Sequence, residues 1–491
     1  MAPSATNESN GTNGTFKIQF ETFSNIVNGK ATPTSKTRHG INPANKKANI
    51  EVPVATQKDV DDAVAAAKVA FQSWSRTSIG ERREKVVAYA AALKAHTAEF
   101  AKLLTTEQGK PLSHATHEVE ASAHFLDGIA RLELDDEVLE ENEDRKVITR
   151  HTPLGVVAAI VPWNFPVHLA CGKIASALLT GNCIIIKPSP FTPYCGLKLA
   201  ELGQKFFPPG VFQALSGDDN LGPMLTAHPG IDKISFTGST ATGKRVMESA
   251  SKTLKRVTLE LGGKDPAIVC KSVNIAETAP KIATFSFLNS GQICVAVKRV
   301  YIHKDIYDKF RDAMVAHVKT LTMGDGMEEG NFLGPLQNSM QYEIVKAFFN
   351  DIEKEGQKVA VGGTLPQSNA KGYFIEPTII DSPKEDSRLV VEEPFGPILP
   401  ILLWSDEEDV IDRANNTTMG LGASVWSNDL DEAERIAKRL EAGSVWVNAH
   451  ADIDPRFPFG GHKQSGLGSE WGVSGLKAYT NSQTVYLKKR V

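Results

Sequence analysis

One cysteine, Cys294, closes the run Asn289 to Cys294 (NSGQIC) at what reads as the end of a helix. A glycine at 291 lets a helix break and leaves backbone donors near the sulfur, and such donors lower a thiol pKa. A thiolate made this way attacks carbonyl carbon. The five cysteines, at 171, 183, 195, 270 and 294, are odd in number and show no CxxC spacing. That spacing offers neither a zinc site nor a redox couple, and without an apolar leader the thiols are expected to be reduced. Two readings of Cys294 remain, a buried packing residue and a nucleophile, and a lone cysteine is more often the former.

A nucleophile needs a base and a place for developing charge. Glu260 lies in TLELGGK, Thr258 to Lys264, an apolar strand-like run that breaks at a glycine pair. Burial there raises a carboxyl pKa toward neutrality and suits a general base, whereas a strand-end glutamate facing solvent does no chemistry. Asn164 stands between prolines in PWNFP, Pro162 to Pro166, after an apolar strand. Its amide is either an oxyanion donor or a turn residue. KISFTGSTATGKRV, Lys233 to Val246, reads as strand, turn and helix, with Gly238, Ser239 and Gly243 placed to bring backbone N–H groups to a phosphate. Thr240 replaces the second glycine of the usual GxGxxG, so this signal alone is weak.

These groups need a frame. From about Val54 to Val119 apolar residues recur at spacings of three and four with charges opposite, which predicts amphipathic helices. From Leu154 short apolar runs (154–161, 182–187, 211–215, 232–236, 267–270) alternate with helical stretches, the pattern of a parallel α/β sheet. A second alternation runs from about Val300 to Val447. Strand-like pieces at 145–153 and 484–489 fall outside both, and such strands need a partner edge, which a neighbouring subunit can supply. A chain of 491 residues predicts two or three domains. Hydrophobic content of 41%, charged content of 23% and a net charge of -4 describe an ordinary globular protein with no basic footprint for nucleic acid. No apolar run reaches the roughly 20 residues that cross a bilayer, so no membrane partner and a cytoplasmic location are expected. Residues 1–15, rich in Ser, Asn, Thr and Gly, are expected to form a disordered tail.

Taken together, PWNFP, KPS (187–189), FTGST (236–240), LELGGK (259–264), GQIC (291–294), EEPFGP (392–397) and PFGGHKQSGLG (458–468) occur in the order found in one family. The chain resembles the NAD(P)-dependent aldehyde dehydrogenase superfamily. That resemblance implies an α/β fold with a Rossmann-like NAD-binding domain (16–130 and 152–262), an α/β catalytic domain (263–462) and a small β oligomerisation arm (131–151 and 476–491). It also implies a homodimer or homotetramer, no metal, and oxidation of a small aldehyde to the carboxylic acid through a cysteine thiohemiacetal and thioester. Cys294 becomes the nucleophile, Glu260 the base and Asn164 the oxyanion donor. Trp163, Lys187, Ser189, Pro190, Gly238, Ser239, Gly243, Glu393 and Phe395 become cofactor contacts, and Glu470 a proton relay.

Two departures from the family pattern bear on specificity. Many NAD-preferring relatives carry a glutamate where this chain has Pro190, which would bond the adenosine ribose and repel a 2'-phosphate. NAD with some NADP tolerance is the resulting expectation. Gly172 stands where many relatives have a bulky aromatic or an arginine, so a substrate path lined by Phe165, Gly172, Ile293 and Phe459 is expected to admit a bulky apolar or aromatic aldehyde. A CoA-acylating semialdehyde dehydrogenase is a competing reading that the presence of Glu260 opposes. A cysteine hydrolase would pair the thiol with a histidine, and none is near Cys294 in sequence. A catalytically silent protein would more plausibly have lost Cys294 or Glu260.

Overall fold

The apolar runs between residues 154 and 260 become the centre of an open sheet in the computed structural model, which describes residues 18–365 and 370–490. Its order is Lys30–Thr32, Asn25–Val27, Phe212–Ala214, Cys183–Lys187, Val156–Ile160, Lys233–Thr237, Arg256–Glu260 and Gly466–Leu467. The five central strands are parallel and every residue of Val156–Ile160, Cys183–Lys187 and Lys233–Thr237 is buried, as expected of strands covered by helices on both faces. Only the flanking strands run antiparallel.

The predicted N-terminal helices are present as Gln57–Trp74, Ile79–Ala95, Thr97–Gln108 and Leu112–Ala130. The first two start at capping boxes, Thr56 with Asp59 and Ser78 with Glu81. Helix Leu112–Ala130 packs on helix Pro166–Leu179, which follows Asn164. Among the described residues no helix is long and apolar enough to cross a membrane.

The second alternation, joined by the run 267–270 that the sequence pattern groups with the first, forms a seven-stranded sheet ordered Val359–Val361, Thr378–Asp381, Ile398–Trp404, Arg299–His303, Pro266–Val269, Gly422–Trp426 and Ser444–Val447. Apolar cores cover its two faces separately, one with Phe287, Phe310 and Met314, the other with Val410, Ala433 and Ile436. The described residues are therefore α/β, built on two large open sheets with three smaller ones. Thr378–Asp381 was not among the expected strands, because four residues between Pro377 and Ser382 are too few to show a period.

One expectation needs correction. The strand-like pieces near 145–153 and 484–489 lack no partner within the chain: Arg145–Pro153 pairs antiparallel with Thr480–Lys488, from Thr480 opposite Pro153 to Lys488 opposite Arg145. Glu137–Glu141 adds a third strand on the other side. The tail expected at residues 1–15 lies outside the described residues.

Candidate active site

Helix Ile275–Phe287 stops before the cysteine, and a tight turn at Leu288–Gly291 replaces the expected helix end. Asn289, Ser290 and Gly291 all have positive φ, at 52°, 56° and 72°. Left-handed backbone at two non-glycine residues is strained, so the surroundings must hold it. Ser290 Oγ donates to the Gly334 carbonyl at 2.7 Å, and Gln292 Nε2 to the Asn289 carbonyl at 2.9 Å. Gln292 Oε1 accepts the Gln337 N–H at 2.9 Å. At 291 a Cβ would collide with the Gly396 carbonyl, which is why glycine stands there. The turn delivers Cys294 to a half-buried position facing Glu260.

Asn164 is buried and tied to the same turn: its Nδ2 donates to the Gln292 carbonyl at 3.1 Å, and its own carbonyl accepts Lys110 Nζ at 2.9 Å. Lys110 pairs with Glu118, both side chains buried, and its ammonium lies 3.7 Å from the centre of the Phe165 ring. Glu118 Oε1 accepts the N–H groups of Val167 at 3.0 Å and His168 at 3.2 Å. A carboxylate at a helix N-terminus satisfies donors that the helix cannot, and here it anchors the PWNFP turn to the helical layer.

Glu260 ends strand Arg256–Glu260 at 2% exposure, and neither carboxyl oxygen closes a hydrogen bond of good geometry. Burial pushes its pKa up to about 7; the neighbouring Cys294 thiol and Lys173 ease this, while Glu470 adds to it. The thiol itself is pushed well up, by burial first and then by Glu260, with Lys298 acting the other way. This corrects the expectation of a thiol lowered by backbone donors: two carboxylates, Glu260 and Glu393, face it. At rest the pair is a thiol beside a carboxyl group that gains and loses its proton near neutrality.

Glu470 is buried behind Glu260, where its Oε1 accepts Lys173 Nζ at 2.7 Å and Ser235 Oγ at 2.8 Å. Its Oε2 has no partner. The sequence alone does not single out Lys173 or Ser235. A lysine inside the apolar helix segment HLACGKIASALL was the available signal, since a buried lysine needs a counter-charge.

Along the carboxyl ends of the first sheet stand the expected cofactor residues. Lys187 ends its strand, buried, with Nζ bonded among the described residues only to the Pro188 carbonyl at 3.3 Å, and burial pulls its pKa down to about 8. Ser189 and Pro190 form the turn that follows. Gly238 leaves strand Lys233–Thr237, and Ser239 caps helix Thr240–Ser251 by accepting the Thr242 N–H. Gly243 serves packing, since a Cβ there would lie 2.6 Å from Leu261. Trp163 meets the Phe395 ring edge-on at 5.3 Å, and Glu393 Oε1 accepts the Gly263 N–H at 3.2 Å. An under-bonded buried amine and a helix N-terminus at the carboxyl ends of the first sheet, with a carboxylate from the 392–397 loop, make a donor set suited to a ribose, a phosphate and a second ribose.

The substrate side departs from expectation. Gly172 leaves no gap, because the indole of Trp471 lies over it; an added Cβ would be 3.1 Å from Cδ1 and closer still to the ring nitrogen. Trp471 stacks on Phe459 at 5.0 Å and meets Phe125 edge-on at 5.0 Å. Phe459 and Glu470 exchange backbone hydrogen bonds of 2.8 and 2.7 Å, so a single β-bridge places Phe459, Glu470 and Trp471. Beyond Trp471 opens a cavity of about 200 Å³ lined by Trp446, Ile453, Phe457 and Phe459, with Asp452 and Asp454 also on its wall. Phe165 packs under Lys110, and Ile293, partly buried, packs against the main core. Neither is among the residues lining that cavity.

Comparison with known proteins identifies the family. A model of the aldehyde dehydrogenase family matches residues 31–485. The chain is similar to aldehyde dehydrogenase LUC3 of a Fusarium species, at 43% identity over 96% of this chain and 100% of that protein. It is similar to the phenylacetaldehyde dehydrogenase of Pseudomonas fluorescens at 37% identity over 92% of this chain and 93% of the relative. The solved NAD+ complex of an aldehyde dehydrogenase from Bacillus cereus superposes with a TM-score of 0.92 at 35% identity, covering 95% of this chain and 97% of that one.

Proposed function

Because this chain belongs to the aldehyde dehydrogenase family, we propose that it oxidises an aldehyde to the carboxylic acid, with Cys294 as nucleophile, Glu260 as base and NAD as cofactor. The observation that carries the assignment is the half-buried Cys294 thiol facing a Glu260 carboxyl held near neutrality. Lys187, Ser239 and Glu393 would hold the cofactor, with Trp163 and Phe395 beside it. When bound, NAD supplies a hydride acceptor.

Cys294 reacts as its thiolate, its proton passing to solvent, and the sulfur adds to the aldehyde carbon. The Asn164 amide and the Cys294 N–H meet the oxyanion of the adduct, and the tie from Asn164 to the Gln292 carbonyl keeps that amide on the nucleophile's side. After oxidation the acyl group rests on Cys294 as a thioester. Glu260 then removes a proton from water as its oxygen attacks the acyl carbon, and the sulfur leaves. Glu470, held by Lys173 and Ser235 with one oxygen free, is placed to carry the proton onward.

The aromatic side chains Trp446, Phe457 and Phe459 beyond Trp471 favour an apolar or aromatic substrate if its tail reaches that cavity, and Asp452 and Asp454 disfavour a second carboxylate there. Initial rates on a panel of phenylacetaldehyde, hexanal, acetaldehyde and a semialdehyde acid test this. Phenylacetaldehyde and hexanal should exceed the semialdehyde acid in kcat/KM by about 100-fold or more, and a preference for the acid would remove the apolar reading.

Pro190 leaves the adenosine ribose without the carboxylate that excludes a 2'-phosphate. Pro190→Glu should raise the NAD to NADP ratio of kcat/KM by about tenfold, since the new charge repels the phosphate. An unchanged ratio would mean residue 190 faces away from the ribose. The exposed Val138, Leu139, Tyr486 and Leu487 on the outer strands of the three-stranded sheet support its proposed role in forming a dimer or tetramer.

A further inference from the structure

Lys298 is a buried cation with no part in the scheme above. Its side chain, 4% exposed, turns back under the nucleophile loop, where Nζ donates to the Cys294 carbonyl and lies 2.9 Å from Glu393 Oε1. The same Glu393 oxygen accepts the Gly263 N–H at 3.2 Å, and the Phe395 ring centre is 6.0 Å from the ammonium. One lysine thus joins the Cys294 loop to the loop bearing the proposed ribose carboxylate, close to the turn that follows Glu260.

We infer that Lys298 is a positioning residue that fixes Glu393 against the nucleophile loop and offsets the charge of that carboxylate at the Cys294 thiol. The inference rests on the reading of Cys294 as nucleophile and Glu393 as a cofactor contact. The charged groups facing the thiol are Glu260 from its strand, Glu393 from the 392–397 loop and Lys298 from the cysteine loop. Of these three only Lys298 is positive. With it removed, two carboxylates oppose thiolate formation without that offsetting charge, and a like charge in a partly dry site disfavours ionisation. Geometry is affected as well: Glu393 keeps only the Gly263 N–H as a fixed partner, so its carboxylate loses the orientation in which it can accept ribose hydroxyls.

The test uses the full chain without cofactor. Alkylation of Cys294 by iodoacetamide is followed across pH by mass spectrometry of its peptide; Cys171, Cys183, Cys195 and Cys270 are buried and serve as internal controls. In Lys298→Met the profile should move to higher pH, with the rate at pH 7.5 roughly tenfold lower. Glu393→Gln should move it the opposite way, and the double variant should return near wild type, a compensation that a purely structural lysine would not produce. NAD titrated by quenching of protein fluorescence should bind several-fold more weakly to Lys298→Met, and Lys298→Arg should recover part of the loss. Profiles that stay put in both single variants, or that move in the same direction, overturn the inference. If Lys298→Met does not fold, the direction of the Glu393→Gln shift decides it. Absence of any alkylation at Cys294 in the wild type would instead sink the nucleophile assignment, and the inference with it.

Discussion

Cys294→Ser should lower aldehyde oxidation by about 10⁴-fold or more while NAD binding persists. The loss is large because a serine hydroxyl at neutral pH is a far weaker nucleophile than a thiolate. The substitution is nearly isosteric, and the turn before residue 294 is held by Ser290 and Gln292 rather than by the sulfur. The fold and the cofactor cleft around Lys187 and Ser239 should therefore be intact. Unchanged thermal melting with lost turnover is the expected pair of results, and substantial residual turnover would remove Cys294 from the chemistry.

Glu260→Gln should keep a fast burst of NADH and then stall, with steady-state turnover down by about 10²- to 10³-fold, because hydrolysis of the thioester loses its base. The pH profile gives a second check. Glu260 ionises at about 7, so a wild-type rate limited by hydrolysis should climb from pH 6 and level above 8, and the glutamine variant should lack this rise. Stability should move the other way. The folded state keeps a proton that an unfolded glutamate gives up near 4.5, so the wild type loses stability as pH rises from about 4.5 through 7. At pH 8 the glutamine variant should melt higher. A burst that vanishes with the variant would place Glu260 at the earlier step, activation of the thiol.

Glu260 was legible only in part: its apolar strand and glycine pair allowed a buried base or a solvent-facing strand end, and the LELGGK resemblance, not the local pattern, chose the buried one. The strands at the first sheet's centre were legible in the pattern itself, since all-buried parallel strands read as unbroken apolar runs, although their order was not. What sequence could not reveal arises from segments that meet only in space. The thiol is pushed up first by burial and then by Glu260 and, less, Glu393, which reach it from different segments, while the local glycine suggested the reverse. Gly172 looks like open space until Trp471 arrives from the far end of the chain to cover it. The two strands left without partners by the local pattern pair with each other across most of the sequence. Lys173 and Lys298 each lie close to a quoted motif, yet a lysine shows itself as functional only when its carboxylate, Glu470 or Glu393, is seen beside it.

The central claim is that an acyl group is carried by Cys294 and released by Glu260. Intact-protein mass spectrometry of Glu260→Gln, quenched in acid after mixing with NAD and phenylacetaldehyde, measures it directly. The account predicts a mass increase equal to one phenylacetyl group in place of a hydrogen, mapped by digestion to the peptide containing Cys294 and absent without NAD. An unmodified protein after a full NADH burst, or an acyl group on any other residue, would contradict it.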